Sequence, residues 1–247
     1  MTQTFVSDGS RRRSGSTLPD LRRYRLVVFD LDGTLYHQGP VRRAMLSELL
    51  LSPRGADGSG RLGRLSVLRR FRQMREEFAR TAPKDYETPL FSRLSEVTGL
   101  EVPTLRRLVR EWMEERPLRR VRTARVRGAS DLFDALRGHG IQIAIWSDYP
   151  VPDKLAALDL RADHAVSASD PDVAALKPNP AGLRWLLERT GIAPEDTLMV
   201  GDRDSHDGAA SRAAGVDFLL RARRGPPGIP RVHDFCGLVA QMRQDQS

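Results

Sequence analysis

The chain has 247 residues, 40% hydrophobic and 29% charged, enough for one sizeable core with an insert and far from collagen-like, coiled-coil or wholly disordered compositions. No apolar run approaches the roughly 18 residues of a membrane span and no signal-peptide-like stretch opens the chain, so a cytoplasmic protein with no membrane partner is expected. A single cysteine, Cys236, rules out an intrachain disulfide and a multi-thiolate zinc site, and the net charge of +8 raises the question of an anionic partner.

Residues 1–20 are rich in Ser, Gly and Arg with few large apolar side chains, which predicts a mobile leader. Arg25–Asp30 (RLVVFD) is a short apolar run ended by Asp-Leu-Asp-Gly and reads as a buried parallel strand. From about 40 to 124 the apolar spacing is helical in Val41–Leu51, Leu65–Phe78, Tyr86–Val97 and Val102–Trp112, with breaks at SPRGADGSG, TAPKD and GLEVP. This stretch also holds the charge excess. Residues 38–124 carry nineteen basic and eleven acidic groups, while residues 125–247 carry fifteen and seventeen. Arg69, Arg70, Arg72 and Arg75 alternate with Glu76 and Glu77 as on a solvated helix face, and the absence of interleaved aromatics argues against a nucleic-acid partner.

Beyond the insert, strand-like runs recur at Ile141–Trp146 and Thr197–Val200, with weaker ones at His164–Val166 and Val216–Leu220. Helical spacing fills the intervals, at Ser130–Leu136, Pro152–Leu158, Pro180–Thr190 and Asp207–Ala214, and Gly191 and Gly215 follow two of these as C-terminal stops. The pattern predicts an α/β fold with a Rossmann-like parallel sheet of five strands and an all-helical insertion after the first. The divisions expected are a leader over 1–20, core over 21–37, a helical cap over 38–124 and core over 125–247.

Ligands of such sheets bind beyond the carboxyl ends of the strands. There the sequence places Asp30 and Asp32, then Ser147, then Asp202, Asp204 and Asp207, with Lys177 opening KPNP. Aspartates from separate strand ends repel unless a cation lies between them, and hard oxygen donors suit Mg²⁺. With metal, lysine, a serine hydroxyl and the turn opened by Gly33, the site fits a phosphoryl group, leaving one carboxylate to act as nucleophile and a second, two residues on, to pass a proton. A calcium loop does not fit, because no Glu closes a loop of EF-hand length.

Phe29-Asp30-Leu31-Asp32-Gly33-Thr34-Leu35, Ser147 after a hydrophobic strand, Lys177-Pro178, and Gly201-Asp202 with Asp207 resemble, in this order, the four motifs of the haloacid dehalogenase (HAD) superfamily. The resemblance covers roughly 21–37 and 125–221, and the helical insert looks like that superfamily's cap. It implies that Asp30 attacks phosphorus and forms an aspartyl-phosphate, and that Asp32 protonates the leaving group and then activates water. Ser147 and Lys177 would hold phosphoryl oxygens. Mg²⁺ would be bound by Asp30, the backbone carbonyl of Asp32, Asp202 and Asp207, and Asp204 receives no role. Asp32 favours phosphate over halide chemistry, since members that displace halide lack an aspartate at that position. Lys84, the one lysine of the insert, reads as a linker residue rather than a Schiff-base former. A phosphatase acting on a small phosphorylated metabolite is the expected function, with a phosphomutase or a non-catalytic binding protein on the same core as alternatives.

Overall fold

The computed structural model describes residues 18–53, 60–81 and 84–244. Most of the expected leader therefore lies outside the described residues. Six strands form one sheet: β1 (Leu26–Phe29), β2 (Gln142–Ser147), β3 (His164–Ser167), β4 (Thr197–Gly201), β5 (Asp217–Arg221) and β6 (Arg231–Val232). Their order is β3-β2-β1-β4-β5-β6 and every pairing is parallel. The sheet has one strand more than expected, since β6 is only two residues long and follows a Pro- and Gly-rich connection that offers no periodicity to read.

Strand β1 is buried along its whole length, and its alternation divides the core. Val27 and Phe29 face one layer, with Ile143, Ile145, Leu198 and Val200 beside them, and there they meet Leu132, Phe133 and Leu136 of α6 (Ala129–Gly138). Phe235 stands edge-on to Phe29 at 6.0 Å between ring centroids. Leu26 and Val28 face the other layer with Ala144, Trp146 and Met199, packed on Leu183 and Leu186 of α8 (Ala181–Thr190) and Ala210 of α9 (Ala209–Ala214). Helix α8 approaches closely enough that a Cβ on Gly182 would lie 2.1 Å from Trp146 Nε1, so this position has room only for glycine.

Between β1 and β2 run α1 (Gln38–Leu51), α2 (Arg61–Thr81), α3 (Glu87–Thr98), α4 (Val102–Val109), which continues as a wider π-turn over Arg110–Glu115, and α5 (Leu118–Val121), followed by α6. The insertion has its own core of Leu49, Leu68, Phe71, Leu90, Leu94, Leu105 and Trp112, which also touches Ala168 and Leu176 near the sheet's carboxyl edge. The chain ends its described part with α10 (Cys236–Arg243), and α7 (Pro152–Ala157) follows β2. Among the described residues no helix is long and apolar enough to cross a membrane.

The order around β1 fixes where a ligand can bind. After β1 the chain builds outward through β2 and β3, then returns to the opposite side of β1 for β4. The crevice opens where the winding reverses, beyond the carboxyl ends of β1 and β4.

Candidate active site

Asp30 is the first residue past β1, with its backbone N–H donating to Val200 O at 2.9 Å, so it enters the crevice from a fixed backbone. Its Oδ1 accepts from Lys177 Nζ at 2.7 Å and its Oδ2 from Thr34 Oγ1 at 2.9 Å. Lys177 is 2% exposed, and it also donates to Asp207 Oδ1 at 2.8 Å and to Trp146 O at 2.8 Å, so all three ammonium protons have acceptors. Asp207 Oδ2 accepts from the backbone N–H of Arg203 at 3.1 Å. Asp30, Asp202 and Asp207 each offer a carboxylate oxygen, and these oxygens all lie within 4.8 Å of one another.

One lysine cannot neutralise three carboxylates. Lys177 serves Asp30 and Asp207, while the carboxylate of Asp202 has neither a hydrogen bond nor an ion pair among the described residues. Burial first, and then the charge of Asp207, push the Asp202 carboxyl up to about 6. Asp30 is raised well above the carboxylate range by burial and by its two acidic neighbours, against the pull of Lys177. Burial alone would lower Lys177, but Asp207 and Asp30 outweigh it and hold the ammonium charged. Three converging oxygen donors with an unmet negative charge fit a hard divalent cation. Gly33 completes this corner: at φ 106°, a Cβ there would lie 2.1 Å from Asp202 Oδ2.

Asp32 lies apart from this cluster. Lys154 Nζ, on α7, donates to both of its oxygens at 2.8 Å, Ser147 Oγ donates at 3.3 Å, and Tyr36 OH makes a short hydrogen bond to Oδ1. Burial pushes Asp32 up, yet Lys154 and these hydrogen bonds outweigh it and hold the carboxyl below its ordinary range. Its backbone carbonyl accepts from Gln38 Nε2 at 2.6 Å. Two carboxylates two residues apart are thus driven in opposite directions.

Of the residues singled out in sequence, Asp30, Lys177, Asp202 and Asp207 meet directly. Ser147 is fully buried beneath Asp32, where its oxygen also accepts from the Tyr149 N–H at 3.0 Å. Asp204 pairs with Arg212 at 2.8 Å away from the cluster, and helix α9 begins only after a π-turn over Asp204–Gly208. In the Arg69–Glu77 stretch Arg69, Arg70, Arg72 and Glu76 are exposed, as on a solvated face, and Arg75 is the exception. Arg75 is 8% exposed, lies 3.9 Å from the Tyr149 ring and donates to Asp148 O, and Glu76 makes a two-pronged ion pair with Arg203 at 2.8 Å per contact. The sequence reading assigned Lys154, Thr34 and Glu76 no role. Lys154 had a signal, being one of three lysines among 37 arginines and following the second strand end.

A cavity of about 310 Å³ covers this constellation, floored by Asp30, Asp32, Lys177 and Asp202 and roofed by α1 and α2. A doubly covered parallel sheet with buried aspartates at a switch point and a helical insertion over them defines a hydrolase of HAD type. The family model for haloacid dehalogenase-like hydrolases matches residues 24–215, and the chain belongs to that family. It is 29% identical over 199 residues to a phosphoglycolate phosphatase of Rhodospirillum rubrum, a match covering 79% of this chain and 78% of that protein. It is 36% identical over 89 residues to the phosphoglycolate phosphatase of Escherichia coli K12, a match spanning only 35% of each. In fold it is similar to the HAD-hydrolase YfnB of Bacillus subtilis, whose crystal structure is bound to magnesium: TM-score 0.63 at 20% identity, covering 90% of this chain and 99% of that one.

Proposed function

We propose that the protein is a Mg²⁺-dependent phosphomonoester hydrolase acting on a small metabolite through an aspartyl-phosphate. The observation that carries this reading is the convergence of Asp30, Asp202 and Asp207 with one buried lysine shared between the first and last. The relatives' activity on phosphoglycolate supports the phosphoester class. Asp30, Asp202 and Asp207 would hold the cation together with the Asp32 carbonyl, and bound Mg²⁺ would supply charge compensation for nucleophile and phosphoryl oxygens.

Asp30 attacks phosphorus while the ester P–O bond breaks; Lys177 would exchange one of its three present acceptors for a phosphoryl oxygen, and Ser147 would reach one by releasing Asp32. Asp32 is ionised in the free site and has no proton of its own, so the departing alkoxide, a far stronger base than a carboxylate, takes a proton that Lys154 Nζ gives up through the Asp32 carboxylate, leaving Lys154 neutral. Water then enters, gives its proton back to that pair and attacks the phosphorylated Asp30, releasing inorganic phosphate and restoring the carboxylate. Phosphate release from p-nitrophenyl phosphate and a panel of phosphorylated metabolites tests this reading. Turnover should require Mg²⁺, stop in EDTA and return on metal addition, and Asp32→Asn should accumulate phosphorylated Asp30 detectable by mass spectrometry. Inertness towards every ester with Mg²⁺ present, or full activity in EDTA, would overturn it.

A further inference from the structure

Four arginines line the cavity, and two of them are already engaged: Arg203 with the Glu76 carboxylate, and Arg75 with the Asp148 carbonyl and the face of Tyr149. Arg42 and Arg72 are not. Among the described residues neither has a carboxylate partner, and the one hydrogen bond of Arg72 is a weak contact to Met113 Sδ at 3.3 Å. Both are exposed residues on the wall of the cavity. Arg42 is one turn beyond Gln38, whose amide holds the Asp32 carbonyl, and Arg72 is one turn before Arg75 and Glu76 on the cavity-facing side of α2.

The two sit on the Asp32 side of the nucleophile. Tyr36, which donates to Asp32, feels the charge of Arg42, and Arg72 is depressed first by burial, with the charge of Arg42 adding to the effect. Both arginines are exposed to solvent on the cavity wall, near enough for the charge of Arg42 to act on Arg72, so an oxyanion entering the cavity would meet two cations with no competing carboxylate. Asp32 handles the leaving group in the proposed hydrolysis, so the part of a substrate that departs from phosphorus points at this pair.

We propose that Arg42 and Arg72 form a second anion subsite, so that the substrate is a short phosphomonoester whose leaving group carries another oxyanion. The assignment rests on the hydrolase reading for its orientation, while the two unpaired arginines carry it independently of turnover.

The test compares three esters of matched length with Mg²⁺ present: phosphoglycolate, with a carboxylate; ethanediol bisphosphate, with a second phosphate; and hydroxyethyl phosphate, with a neutral hydroxyl. One of the two charged esters should exceed the neutral one in kcat/KM by about ten- to a hundredfold, as charge-assisted hydrogen bonds provide, and the preferred arm identifies the oxyanion. In Arg42→Met and Arg72→Met that preference should shrink towards unity, mainly through KM, and the corresponding lysine variants should recover part of it. Equal use of charged and neutral esters, or an equal loss on all three in the variants, would overturn the subsite. If no ester turns over, the hydrolase reading fails on its own. Calorimetric Kd values for the same three compounds in Asp30→Asn then decide the subsite, with equal affinities rejecting it.

Discussion

Replacing Asp202 by Asn should stabilise the metal-free protein, and the effect can be sized from the site. Burial and the Asp207 charge raise the carboxyl from 3.8 to about 6, and Lys177 is taken up by Asp30 and Asp207. Below pH 4 the group is neutral in both folded and unfolded chains and costs nothing. Between pH 4 and 6 the unfolded chain releases its proton first, so stability falls with rising pH, and above about 6 the full penalty is in place. About two pKa units correspond to roughly 3 kcal/mol, which partial opening to the cavity reduces to about 1–3 kcal/mol. Asn keeps the shape beside Gly33 and removes the charge. In EDTA at pH 7.5 Asp202→Asn should therefore unfold at higher temperature than the wild type, by about 2–4 °C per kcal/mol for a chain of this size, and the gap should close towards pH 4. Adding Mg²⁺ should reverse the order, because ligand binding stabilises only the form that keeps the site. A variant less stable than wild type in EDTA at pH 7.5, or a gap indifferent to pH, would refute the claim that Asp202 stores unmet negative charge.

On the proposed hydrolysis, Asp30→Asn should lower kcat by at least about a thousandfold with an unchanged circular dichroism spectrum, since a neutral amide of the same shape replaces the attacking carboxylate. Lys154→Met strands the Asp32 carboxylate in a buried site and should cost about 3–5 kcal/mol in chemical denaturation. Gly33→Ala places a methyl within 2.1 Å of an Asp202 oxygen at a φ of 106°, so Mg²⁺ affinity measured by calorimetry should fall sharply.

Elements whose signal is local were legible in the sequence. Apolar runs ended by Asp or Gly marked β1, β2 and β4, and their ends marked Asp30 and Asp202, because a strand buried on both faces needs uninterrupted apolar residues and a ligand crevice needs polar ones just past them. What was not legible depends on contacts between distant segments. Glu76 meets Arg203 across 127 residues, and Lys154 reaches Asp32 across 122. Helical spacing alone gave α2 its existence but not the burial of Arg75, which follows from Tyr149 and the Asp148 carbonyl arriving from the other side of the chain. The last strand escaped because a two-residue strand has no period.

The division of charge within the site also orders its chemistry. Asp32 is held ionised by Lys154 and its hydrogen bonds, so its charge is compensated without a bound metal. Asp30 is raised by burial and by Asp202 and Asp207, and Lys177, shared with Asp207, does not offset this. In the hydrolysis proposed above Asp30 attacks as a carboxylate, and positive charge arriving among the three converging oxygens would favour that form. On that proposal, the same unmet charge that costs stability in the metal-free fold at neutral pH would couple cation binding to activation of Asp30. A second lysine in place of the vacant charge would relieve the strain and remove that coupling, which gives a physical reason for three aspartates to share only one.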